Sequence, residues 1–141
     1  MYIYDGYVRV RYEETDQMGV AYHGNYYTWF EVGRNSFFRS LGYTYAKLEE
    51  EGVIMPVIES SCTYKVPAKY DDELLIRTKI SQIKGIRLEF EYEVIRKIDE
   101  KLLAKGKTLH TFVDKSLKPL NFKKQNPEIW NLLNNCIEDV K

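Results

Sequence analysis

The chain has 141 residues, 44% of them hydrophobic and 30% charged, the size and make-up of one globular domain. Lys plus Arg and Asp plus Glu number 21 each, so the zero net charge argues against a nucleic-acid partner, which demands a basic excess. Two cysteines, Cys62 and Cys136, are too few for a disulfide framework, and no run approaches the roughly 20 apolar residues of a membrane span.

The expected setting is therefore cytoplasmic, with each thiol a buried, inert core atom; the opening residues Met1-Tyr2-Ile3-Tyr4-Asp5-Gly6 carry neither the basic start nor the apolar run of a secretory signal. Twelve tyrosines hint at an oligomer, because aromatics concentrate at interfaces.

Residues 4–12 read as the first strand, where Tyr4, Val8, Val10 and Tyr12 alternate with polar neighbours. A polar loop through Gly19 follows, then a helix over 25–41 with Gly42 just beyond its end. Tyr26, Tyr27, Trp29, Phe30, Val32, Phe37, Phe38 and Leu41 cover most of its circumference and leave one polar stripe, Thr28, Glu31, Asn35 and Arg39. Such a helix is expected to be buried on most sides, as if wrapped by a sheet. Gly33 inside it costs about 1 kcal/mol against Ala and so marks a close backbone approach.

A short helix over 45–51 leads to strands at 53–66, broken near Pro56, and at 73–83, 87–97 and 102–114. Lys84-Gly85 makes the second and third of these a hairpin, and Ala104, Gly106 and Thr108 leave one face of the last strand small. A helix over 128–137 closes the chain after Pro127. Strand, long helix and four antiparallel strands define an α+β domain over 1–141, its helix set against one face of a curved sheet.

Familiar catalytic signatures are missing: no nucleophile elbow, no glycine-rich phosphate loop, and no metal-ligand spacing around His23 or His110. The segment from Arg9 to Tyr26 holds the chemistry. Asp16 lies just upstream of a helix start whose first N–H groups lack intrahelical partners and favour negative charge. A carboxylate opposite such donors can drive attack on an electrophile while the donors hold an oxyanion; alternatively Asp16 only caps a turn or the helix. Glu31, on the polar stripe, either assists the site together with Asn35 or forms an ion pair with Arg34.

Arg9-Val10, Thr15-Asp16, Gly19-Val20 and Tyr22-His23-x-Asn25-Tyr26, at these spacings, resemble the active-site signature of the 4-hydroxybenzoyl-CoA thioesterase family. That family belongs to the hotdog-fold acyl-CoA thioesterases, and the motif takes the form found in small bacterial thioesterases grouped with the Tol-Pal operon protein. The likeness covers nearly the whole chain, including Tyr70-Asp71-Asp72 and Phe112-Val113-Asp114.

The resemblance implies a single hotdog domain that hydrolyses acyl-CoA to acid and CoA without metal or organic cofactor. It makes Asp16 the catalytic carboxylate, as nucleophile or as general base, with Gly19 allowing the turn that carries it. The backbone N–H of His23 or its neighbour would polarise the carbonyl; the His23 side chain either assists the leaving sulfur or is structural. Tyr22, Asn25 and Tyr26 would meet substrate, and Lys65, Lys84 and Arg87, with Lys69 as a further candidate, would meet the CoA phosphates. Segments 22–29 and 64–70 would line an acyl pocket or an interface. The resemblance further implies a homodimer joined edge to edge, possible assembly to a homotetramer, and no membrane span. Hydrolysis of acyl groups on acyl carrier protein, or a non-catalytic hotdog that binds acyl thioesters or a partner protein, are the competing readings.

Overall fold

A computed structural model describes residues 1–137, and the last four residues of the expected domain lie outside them. Strand β1 (Ile3–Arg9) leads through a 3-10 turn (Tyr12–Glu14) to α1 (Asn25–Ser40) and α2 (Tyr45–Glu50). Then come β2 (Val57–Tyr64), β3 (Glu73–Lys84), β4 (Arg87–Arg96), β5 (Lys101–Thr111), α3 (Phe122–Gln125) and α4 (Pro127–Asn135). The strands form one antiparallel sheet in the order β1-β3-β4-β5-β2. A long helix against a curved five-stranded antiparallel sheet is the hotdog arrangement, in the α+β class.

The alternation read from the sequence sets the two faces of the sheet. Leu74, Ile76, Thr78 and Ile80 of β3 and Leu88, Phe90, Tyr92 and Val94 of β4 are buried beneath α1. Their neighbours form charge rows on the outer face, with ion pairs Arg77–Asp5 at 2.9 Å and Lys79–Glu91 at 3.4 Å. Two grooves of about 370 and 310 Å³ cross that outer face, and neither touches residues 12–26.

Helix α1 differs from expectation: it has one buried face, not burial on most sides. Tyr26, Trp29, Phe30, Gly33, Arg34, Phe37 and Phe38 are buried, at steps of three and four, while Tyr27 remains 37% exposed. The expected close approach at Gly33 is there. A β-carbon on it would sit 2.5 Å from Thr78 Oγ1 and 2.8 Å from Ile76 Cγ2, so the helix rests directly on β3. The small face of β5 has the same cause, since a β-carbon on Gly106 would collide with the Phe30 ring.

Other boundaries moved for local reasons. The first strand stops at Arg9, because Val10 N–H donates to Asp72 O and the chain then coils at Tyr12–Glu14. The strand expected from 53 begins only at Val57, after Pro56; before it, Ile54 makes an isolated bridge to Val113. Helix α3 was not anticipated; Asn121 caps it, accepting from Lys124 N–H at 3.2 Å. Cys136 is buried as expected, but Cys62 is only half-buried, because its strand β2 forms the edge of the sheet and is exposed along nearly its whole length.

Candidate functional site

The loop before α1 is tied down on both sides. Thr15 pairs with Ala21 and Val20 with Lys69 in isolated antiparallel bridges, and Ala21 N–H donates to Ala68 O at 2.8 Å. Residues 16–19 therefore form a tight turn, with Gly19 N–H to Asp16 O at 3.0 Å and Asp16 N–H to Val20 O at 2.9 Å. Gly19 sits at φ +78°, a left-handed conformation that side chains disfavour. Asp16 Oδ1 accepts Met18 N–H at 2.9 Å, whereas Oδ2 has no partner among the described residues, and the side chain is exposed.

The start of α1 is uncapped by any side chain; Gly24 occupies the cap position. Asn25 N–H bonds to Tyr22 O at 3.0 Å and Tyr26 N–H to His23 O at 3.2 Å. The N–H groups of His23 and Gly24 have no hydrogen-bond partner among the described residues. Asp16 thus caps its own turn but not the helix. Gly24 also has a steric reason to be small, since the Tyr22 ring lies against it.

Around this mouth sits an aromatic wall. His23 is exposed, 4.4 Å from the Tyr22 ring and 6.0 Å from that of Tyr64, whose hydroxyl donates to His23 O at 3.2 Å. Tyr64 packs edge-on against Tyr26 at 4.9 Å, and burial against these neighbours pushes its hydroxyl pKa up. Tyr12 and Tyr70 form a second exposed pair, 5.7 Å apart.

The expected site residues divide into three groups. Asp16 and Gly19 share the 16–19 turn, and Tyr22 and His23, with their rings in contact, follow the Thr15–Ala21 bridge that closes it. Asn25 and Tyr26 come next in the chain, but their polar atoms are engaged within it: Asn25 Nδ2 donates to Glu14 O at 2.7 Å, and Tyr26 Oη accepts Ala68 N–H at 3.2 Å. Lys65 follows β2 at the same end and is exposed. Lys84 and Arg87, paired across the β3–β4 hairpin, lie at the other end of β3. Twelve residues of strand put them roughly 35 Å from the Asp16 end of the same chain.

Two buried charges went unread in the sequence. Glu14 is 5% exposed, with Oε2 accepting Trp29 Nε1–H at 3.0 Å and Oε1 accepting Arg11 N–H at 2.8 Å. Its only sequence signal is its place two residues before Asp16. Arg34 corrects the expected ion pair: it does not bond Glu31, which is exposed, because it turns inward to donate to the Tyr45 hydroxyl at 3.1 Å and the Tyr92 hydroxyl at 3.0 Å.

From Arg34 a polar chain crosses the core. Tyr92 and Thr108 hydroxyls are 2.6 Å apart, Thr108 Oγ1 is 2.8 Å from His110 Nε2, and His110 Nδ1 is 3.1 Å from Met55 O. The Met55 carbonyl can only accept, so Nδ1 carries the proton, Nε2 accepts from Thr108, and Thr108 accepts from Tyr92. Burial holds the His110 pKa down, at about 4, against the pull of the Met55 carbonyl and with the Arg34 charge adding to the depression. The ring is neutral in the core.

The sequence pattern of the thioesterase-like superfamily matches residues 10–129. Acyl-CoA thioesterase YbgC of Haemophilus influenzae is 37% identical over 120 residues, 84% of this chain and 87% of that one. Acyl-CoA thioester hydrolase YbgC of Escherichia coli O157:H7 is 34% identical over 107 residues, covering 76% and 79%. A solved structure of DHNA-CoA thioesterase from Staphylococcus aureus has a TM-score of 0.88 at 31% identity, over 99% of this chain and 98% of that one.

Proposed function

The chain belongs to the thioesterase-like superfamily, and from that premise we propose that it hydrolyses acyl-CoA thioesters through the Asp16 carboxylate. What supports this reading is that one short turned loop carries an unengaged carboxylate oxygen, Asp16 Oδ2, and leads directly into the unpartnered N–H groups of His23 and Gly24. Its relatives' names supply the substrate class.

Two routes use the same atoms. In one, Oδ2 takes a proton from water as the water oxygen bonds to the acyl carbon. In the other, Oδ2 itself bonds to that carbon, and water then cleaves the resulting anhydride. Either way the carbonyl oxygen becomes an oxyanion that the two N–H groups and the field of α1 stabilise. The C–S bond breaks with its electron pair leaving on sulfur. CoA thiolate is a good leaving group, so no strong general acid is required, and the exposed His23 ring is available to protonate it.

A second copy completes the substrate site in this reading. Strand β2 is a free edge, with Val57, Ile58 and Tyr64 more than 40% exposed. Antiparallel pairing of β2 with β2 of another copy sets Tyr64 of one beside Val57 of the other. That brings the second copy's Lys84–Arg87 hairpin to the Asp16 end, where its cations can meet CoA phosphates.

Asp16→Asn tests the core of the proposal. It should lower kcat for acyl-CoA by roughly 100- to 10,000-fold while folding and assembly stay intact. Wild-type turnover in that variant sinks the reading. Matched acyl-CoA and acyl-carrier-protein substrates, assayed side by side for thiol release, identify the carrier.

A further inference from the structure

We infer that Glu14 is the positioning residue for Asp16: its buried carboxylate pins the catalytic loop to the interior of α1 and so fixes where Asp16 Oδ2 points. The inference rests on the reading of Asp16 as the catalytic carboxylate.

A carboxylate 5% exposed is costly unless its oxygens are engaged, and here every one is. Oε2 holds Trp29 Nε1–H at 3.0 Å; Oε1 holds Arg11 N–H at 2.8 Å and faces Arg11 Nε at 3.4 Å. The Glu14 main-chain oxygen accepts twice more, from Tyr22 N–H at 2.8 Å and from Asn25 Nδ2 at 2.7 Å. One residue therefore binds the exit of β1, the approach to α1, and the first and second turns of that helix.

Trp29 makes this a rigid anchor. It is 1% exposed and packs at a tilt, ring centroids 4.6 Å apart, against Tyr26, itself in the core. Farther along the loop Val20 bridges Lys69 and Ala21 N–H donates to Ala68 O at 2.8 Å, whereas the bonds nearest Asp16 are local. Thr15 Oγ1 donates to Tyr12 O at 2.6 Å, and the 16–19 turn closes on itself. Those bonds shape the turn but do not aim it. A mispositioning of about 1 Å at a reacting group can cost on the order of 100-fold in rate, so an aiming residue should show in kcat. Glu14 touches neither substrate nor reacting atoms in this scheme and acts through Asp16.

The test compares Glu14→Gln, Trp29→Phe, Asp16→Asn and the Glu14→Gln/Asp16→Asn double variant in thiol-release kinetics and thermal melts. The amide keeps the volume but turns one donor toward Trp29 or Arg11; the phenyl ring removes the indole N–H and retains core packing. Glu14→Gln should lower kcat roughly 10- to 100-fold with KM within about threefold, and Trp29→Phe about 10-fold. On the Asp16→Asn background, Glu14→Gln should change the residual rate by less than about twofold, because the aimed group is gone.

If Glu14→Gln does not fold, Trp29→Phe alone and paired with Asp16→Asn gives the same comparison. A lowered melting temperature with unchanged kcat overturns the proposal, as does an equal loss on both backgrounds. Wild-type turnover of Asp16→Asn overturns the underlying reading as well, and is recognised separately because it appears in a variant with Glu14 intact.

Discussion

Glu14, packed against α1, and Arg34, on α1 itself, are both buried charges, yet their partners differ in kind. Every donor to Glu14 comes from residues 11–29, a short stretch that folds around one loop. Arg34 instead reaches hydroxyls on α2 and β4, and through Tyr92 and Thr108 its chain continues to His110 on β5. The first arrangement holds a loop in place; the second staples distant elements of the core. Local clamps should register in rate, and long-range staples in stability.

The contrast can be broken most forcefully at Arg34. Arg34→Ala removes a long buried side chain and strands hydroxyls that it satisfied, so unfolding free energy should fall by about 3–5 kcal/mol. Turnover at temperatures where the variant is folded should stay within about threefold; a large kcat loss would erase the distinction between the two clusters.

Acid probes the far end of the same chain. His110 is depressed to about 4 in the fold against roughly 6.5 when unfolded, so between those values the unfolded chain binds more protons. Stability should therefore rise with pH across that window: the contribution is complete above about pH 6.5 and disappears as pH falls toward 4. Its full size is on the order of 3 kcal/mol. Denaturation series at several pH values should show a shallower slope for His110→Gln than for the parent, and equal slopes would disprove the assignment. Gly106→Ala makes the smallest change. It forces a methyl against Phe30 and should cost about 1–3 kcal/mol, with no selective effect on kcat.

Alternating and helical periodicities made the fold legible, because burial of one sheet face dictates the spacing of Leu74, Ile76 and Ile80 or of Phe90 and Tyr92. Gly33 was readable for a similar reason: a residue poor in helix propensity inside an apolar helix needs a steric cause. Arg34 was not. On a helical wheel it looks like a partner for Glu31, and only the tertiary positions of Tyr45 and Tyr92 turn it inward. Glu14 escaped notice because in sequence it is one acid of a pair, Glu13-Glu14, and burial distinguishes them: Glu13 bonds exposed Arg11 at 2.7 Å while Glu14 enters the core. At the candidate site, Asn25 and Tyr26 carry side-chain bonds across 11 and 42 positions that no local pattern encodes.

The indole of Trp29 has a practical use that follows from its bond to Glu14. The chain contains two tryptophans, and the other, Trp130, lies on the C-terminal helix α4 beneath the Lys123 ammonium group. Emission from Trp29 therefore reports, without any label, on the hydrogen bond next to the loop. Replacing Trp130 with phenylalanine would leave an optical probe of that loop that can be read while substrate arrives and product departs.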